Sequence, residues 1–348
     1  MIMLQSLLPK PAEPKPGRDY ASDNLRFFLI FCVVFAHLLE IAAPFPYKTE
    51  IYRVIYSFHM PAFLFLFGYF LKPSPKAALF HWIIPYFVWQ TLYSLFSVHV
   101  LGADTVLQYT QPYWLLWYML ACVYYQLLTP VYGLFRGWGQ AIALLAVFVL
   151  SLAAGFDNTV GYHMSLSRFL VFQPWVLLGF ICRTHAVGER FSAPKLRHLP
   201  IYLGSAVLVG LSVFLLLRQG IPEFFLYAST SYQSTGRSVG TRLLCAGFAF
   251  AWIAFLFLTL RVFINRRLPL ITAIGQNTLP VFLLHGFTVK AIQRFCPELT
   301  DTPWKVLLLT CALLLIFGSR PVKRVVDCIG LTWLGRFTAP PEDRKPAA

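Results

Sequence analysis

Residues 23–37 read DNLRFFLIFCVVFAH, an apolar run that opens on Asp23 and Arg26 and ends on His37. Ionisable groups inside such a segment are costly in hydrocarbon and therefore demand a reason. On an α-helix the eleven steps from Arg26 to His37 turn through about 1100°, which leaves the two side chains about 20° apart in azimuth and roughly 16 Å apart along the axis. They share one stripe. Asp23 lies one turn before Arg26, where a carboxylate pairs with the guanidinium and holds its fork.

Outward from this segment the composition agrees with a bilayer as solvent. The chain has 348 residues, of which 58% are hydrophobic and 12% charged, with a mean hydropathy of +0.64. That leaves too little polar surface for a water-soluble domain. Apolar segments mark ten candidate helices, at 24–43, 51–71, 78–98, 114–134, 139–155, 168–182, 200–217, 241–261, 271–290 and 303–319, each near the length that spans a membrane. The expected fold class is all-α, a polytopic transmembrane bundle. Its expected parts are a cytosolic tail over 1–19, a transmembrane domain over 20–320, and an interfacial helix and tail over 321–348.

The net charge of +15 gives no sign of nucleic acid as a partner, because the basic residues form no run with interleaved aromatics. Topology accounts for them. With the N-terminus inside, inward segments carry 19 of the 29 Lys/Arg and outward segments 9, Arg26 being the remaining one. This excess places both termini in the cytosol of a cell-membrane protein. Met1 to Asp19 holds four prolines and no small-residue cleavage site, so it reads as a tail and not a signal peptide. Val322, Val325, Val326, Ile329 and Trp333 recur at helical spacing among basic residues, as an interfacial helix requires. The seven cysteines show no paired spacing, and neither disulfides nor a metal cluster are expected.

Two further histidines fall at similar depth. His59, in Ser57-Phe58-His59-Met60-Pro61, lies roughly 12 Å below the outer surface at 1.5 Å per residue. His285 closes the run that follows Gly275-Gln276-Asn277-Thr278, again in the outer half. Three histidines from three helices could converge there. A single buried histidine is as often a satisfied core residue as a functional one, but a guanidinium and an imidazole on one stripe shift the balance toward function. A three-histidine metal site lacks a carboxylate or an i, i+4 pair to support it, and no metal is expected. Glu40, one turn beyond His37, reads as interfacial.

Five strings occur in an order that resembles the acyltransferase 3 family, and most nearly its fucose 4-O-acetylase-like branch. They are DNLRFFLIFCVVFAH, SFHMPAFLFLFGYF, LWYMLACVYYQLLTP, RFLVFQPWVLLGF and IGQNTLPVFLLHG. The resemblance covers most of residues 20–330. It implies transfer of an acyl group, usually acetyl from acetyl-CoA, to a hydroxyl of an extracytoplasmic glycan or polysaccharide. By matching position it makes His37 and Arg26 the catalytic pair and Asp23 the acid ahead of them. It puts His59 in the His-Met-Pro element and Trp117 in the tryptophan element. Where many members carry an arginine-rich cluster after the second span, this chain has Lys72, Lys76 and His81, which with Arg26 are the expected contacts of the CoA phosphates.

The expected acceptor contacts are His59, Trp117, His285 and Gln276, with the outward segment Arg218 to Gly240 as a wider candidate surface because it mixes aromatic and hydrogen-bonding groups. A sugar hydroxyl is a weak nucleophile at neutral pH and needs its proton removed, work for which an imidazole is suited. Whether His37 is that base or is itself transiently acylated stays open. The rival class is a transporter or flippase, against which stands the absence of a visible internal repeat.

Overall fold

In the computed structural model, residues 18–104, 106–159, 161–191 and 198–336 are described. The expectations for most of the N-terminal tail, for the inner-loop Lys195 and Arg197 and for the C-terminal tail beyond 336 lie outside the described residues. Regular structure among those described is helical throughout. The principal helices are α1 (Tyr20–Ile41), α2 (Lys48–Phe70), α3 (Ile84–His99), α4 (Trp117–Tyr132), α5 (Trp138–Ala153), α6 (Leu166–Thr184), α7 (Leu199–Gln219), α8 (Val239–Phe263), α9 (Pro269–Gly275), α10 (Thr278–Phe295), α11 (Pro303–Phe317) and α12 (Arg320–Ile329).

Each of the ten candidate segments is helical. Six helices are long and apolar enough to cross a membrane, and two bent pairs, α9 with α10 and α11 with α12, also pass that test. The shorter α5 is apolar as well. Lipid is the solvent that the outer faces require. Leu203, Val207 and Phe214 on α7, and Ile142, Leu145 and Val149 on α5, stand exposed, whereas in water such belts would associate.

Helix α1 is the axis of the bundle and packs against α2, α8, α9, α10 and α11. It begins where Asp19 caps it, the carboxylate accepting from the Ser22 backbone N–H at 3.1 Å. Polar residues in its first turns tie it to its neighbours. Asn24 donates to the carbonyls of Ile264 (2.9 Å) and Arg266 (3.0 Å) and accepts from the Thr272 hydroxyl (2.8 Å). Arg261 of α8 pairs with Asp19 and donates to Ser22. These partners satisfy polar groups that would otherwise be orphaned at membrane depth.

Two close approaches depend on glycine. Where α2 crosses α6, a Cβ on Gly68 would collide with the Val176 carbonyl, and one on Gly179 with that of Phe65. Gly275 at the end of α9 likewise lies against the Asp23 carbonyl of α1. Backbones meet this closely in membranes because small residues let them.

Two expected spans depart from simple helices. The third opens on Pro75–Ala77 and a π turn, Ala78–Ile83, before α3 continues. The wider turn carries His81 and Trp82. The ninth breaks by 78° between α9 and α10. Gln276 and Asn277 at the break send their amides elsewhere, Gln276 to Asp23 and Asn277 to the Gly318 carbonyl at 3.1 Å, so a continuous helix is not made. The stretch expected to be an interfacial helix forms α12, at 70° to α11, with Val326 buried and Val325 and Ile329 exposed.

Candidate functional site

The stripe of α1 that carries Arg26 and His37 faces a succession of three cavities. The inner one, of about 370 Å³, is lined by Arg26, Lys72, His81, Trp82, Tyr118 and others. The middle one, about 120 Å³ and almost wholly apolar, is lined by Ile30, Val33, Met60, Phe63, Tyr118 and Phe282 among others. The outer one, about 140 Å³, holds His37, Glu40, Tyr56, His59, Trp117 and Arg168. Positions 26, 30, 33 and 37 are successive members of one helical face, which is why a single helix lines all three. Phe63, Trp82, Tyr118 and Thr278 belong to both the inner and the middle walls, and Met60 to both the middle and the outer.

At the inner end Arg26 donates to Asp23 at 3.2 Å and lies 4.4 Å from the centre of the Phe70 ring. Asp23 is nearly fully buried and takes two further donors, Arg18 at 2.7 Å and the Gln276 amide at 3.0 Å. Its carboxylate, by hydrogen bonding, holds the Arg18 guanidinium above its ordinary pKa. With three donors on one carboxylate the Arg26 fork is fixed, and its remaining N–H groups are left for the cavity. Lys72 and His81 share that wall. Lys76 is exposed on the same connection, off the wall.

At the outer end the His37 Nδ1 meets the Glu40 carboxylate at 3.3 Å. The histidine ring lies 5.4 Å from that of His285, nearly parallel, and 4.5 Å from the Trp114 ring, edge on. His59 joins through Tyr56, whose ring centre is 4.7 Å from that of His59 and 6.4 Å from that of His37. The three histidines therefore converge as their depths suggest. His59 and His285 each donate Nδ1–H to the carbonyl four residues earlier, Ile55 at 2.8 Å and Val281 at 2.9 Å. In the neutral ring that selects the Nδ1–H tautomer, with Nε2 as a hydrogen-bond acceptor. His285 Nε2 is buried with no hydrogen-bond partner among the described residues.

Of the remaining expected residues, Trp117 lines the outer cavity and stacks on Phe172 at 5.5 Å. Gln276 is at the other end of the molecule, on Asp23, and does not reach the histidines. From the segment Arg218 to Gly240, Leu226 and Tyr227 reach the outer cavity. Three of its other polar side chains bond within the protein: Glu223 to Arg53 at 2.9 Å, Gln233 to Asn158 at 2.6 Å, Arg237 to the Gly220 carbonyl at 3.0 Å.

Residue-by-residue reading missed several members of the site. Glu40 is exposed, as an interfacial residue should be, yet it also pairs with His37, and its i+3 spacing was the signal. Arg168, which opens the candidate segment 168–182, is buried in the outer cavity wall. Trp114 sits at φ 35°, a backbone conformation that costs a side-chain-bearing residue about 1–2 kcal/mol, and nothing in its apolar surroundings announces it.

A family model described as an acyltransferase domain matches residues 19–318. A curated relative, the nodulation protein NolL of Sinorhizobium fredii (strain NBRC 101917 / NGR234), is 25% identical over 337 residues, covering 87% of each chain. No solved structure matches the chain.

Proposed function

The chain belongs to the acyltransferase 3 family and is a membrane acyltransferase, and from that premise we propose that it moves an acetyl group from cytosolic acetyl-CoA to a hydroxyl of a glycan on the far side of the cell membrane. The observation that carries this reading is the row of cavities along a single face of α1, with a guanidinium at one end and an imidazole at the other. A donor with phosphates at one end, an apolar arm and a thioester at the other suits that order. Arg26 and Lys72 supply charge for the phosphates, and His81 lies beside them. Ile30, Val33, Met60 and Phe63 give the arm apolar walls within the roughly 16 Å of helix that separates Arg26 from His37.

At the outer end the thioester would meet His37. With Glu40 accepting from Nδ1–H, the imidazole presents Nε2 as a lone pair, the form that takes a proton from an attacking hydroxyl. Glu40 also stabilises the imidazolium that results. The hydroxyl oxygen attacks the carbonyl carbon, the C–S bond breaks, and the thiolate takes the proton back from His37. Tyr56, Tyr227 and Trp117 offer aromatic faces to a sugar ring, and the Nε2 atom of His59 is an acceptor for its hydroxyls, whereas His285 is buried behind His37 and off the cavity wall.

The test is mass spectrometry of surface glycans from cells with the gene, without it, and with His37→Ala at equal expression. The acetyl ester is expected in the first alone, and purified His37→Ala is expected to bind acetyl-CoA as the parent does. A carrier would neither bind acetyl-CoA nor release its thiol, and an ester that survives the substitution would remove His37 from the chemistry.

A further inference from the structure

Arg168, at the start of α6, is 7% exposed and has no carboxylate within 4 Å among the described residues. A buried guanidinium without a counter-charge is among the most expensive arrangements a membrane protein can hold. The other arginines near the stripe do not share its situation, Arg26 being paired with Asp23 and Arg261 with Asp19. Arg242 is also buried without an acid, but it lies over Phe225, off the wall that carries His37.

Arg168 is held firmly. Its Nε donates to the Tyr227 carbonyl at 3.0 Å and one terminal nitrogen to the Tyr162 hydroxyl at 3.2 Å. The guanidinium carbon lies 4.9 Å from the Trp117 ring centre and 4.6 Å from that of Tyr162, so two aromatic faces fix its plane. Both hydrogen-bond partners are neutral, and the charge remains uncompensated. Among the described residues on the wall of the outer cavity, it is the sole lysine or arginine.

We propose that Arg168 is a catalytic residue that stabilises the oxyanion of the tetrahedral intermediate in acyl transfer at His37, an assignment that rests on the acyltransfer reading above. When an oxygen nucleophile attacks the thioester carbon, the carbonyl π pair moves onto oxygen as His37 takes the nucleophile's proton. That oxygen carries a full negative charge until the C=O bond re-forms, the C–S bond breaks and the thiolate leaves with the proton. The same oxyanion arises if His37 is itself acylated first. A fixed, desolvated cation with no anion paired to it in the ground state is organised in advance for a charge that exists only in passing, and it costs no reorganisation when that charge appears.

The experiment measures thiol release from acetyl-CoA by purified protein in lipid nanodiscs, normalised to folded protein. The acceptor is the host's envelope glycan, freed of esters by mild alkali. For Arg168→Gln the expected result is a fall in kcat of about 10²- to 10³-fold with both KM values unchanged. Arg168→Lys keeps the charge but loses the fork, and a kcat between the two is expected. Should the Gln variant fail to fold, the Lys variant alone decides, through a lowered kcat at constant KM. A raised acceptor KM with kcat restored at saturation would make Arg168 an anchor for an acidic acceptor and overturn the proposal. So would an unchanged kcat per folded molecule, which would leave Arg168 a packing residue. Absence of thiol release from the unsubstituted protein would instead overturn the acetyl-CoA reading, with no bearing on Arg168 separately.

Discussion

The Glu40 carboxylate on His37 Nδ1 gives a direct measure of how far the imidazole depends on orientation. Glu40→Gln keeps a hydrogen-bond partner but removes the charge that favours the imidazolium, and kcat is expected to fall on the order of 10²-fold, the lower end of a base's contribution. In the double variant with His37→Ala the further loss is expected to vanish, because the two act as one unit. Steady-state kinetics of the three variants check this. The sequence already carried the Asp23–Arg26 pair, the shared stripe and the depth of three histidines, since all follow from helical pitch and one length scale. It did not carry Arg168 or Trp114. Arg168 owes its role to contacts with Trp117 of α4 and the Tyr227 carbonyl, and Trp114 to rings on α1 and α10, and periodicity within one helix says nothing about its neighbours.

Among the helices, the α2–α6 and α1–α9 crossings are where packing is least forgiving. Gly179→Leu is expected to force α6 away from α2 and to cost about 1–3 kcal/mol, the range for overpacking a filled contact. Gly204→Leu on the outer face of α7 meets open space and is expected to leave stability unchanged. Thermal unfolding of the two variants in detergent, followed by size-exclusion chromatography, compares them. The ten helical segments were legible from hydropathy alone, because a bilayer requires long apolar runs. The 78° break at Gln276 was not placed, although the polar cluster Gly275-Gln276-Asn277-Thr278 marked it. Whether such a cluster ends a helix depends on what receives its amides, here Asp23 on α1 and Gly318 in the turn after α11.

For the molecule as a whole, the surplus of basic residues on alternate connections predicts that reporters fused after residue 20 and at the C-terminus behave as cytosolic, and one placed in the connection near Lys48 as external. That orientation points the Arg26 end of the cavities toward the cytosol and the His37 end away from it. Donor and acceptor then have to meet from opposite compartments along one helix face. The most direct measurement uses sealed inside-out vesicles containing the protein, with radiolabelled acetyl-CoA outside and the de-esterified envelope glycan trapped within. Label is expected on the enclosed glycan with the native protein and not with Ile30→Trp, which plugs the middle cavity, or with His37→Ala. Labelling that proceeds undiminished in both variants, or only when donor and acceptor are on the same side, would contradict it.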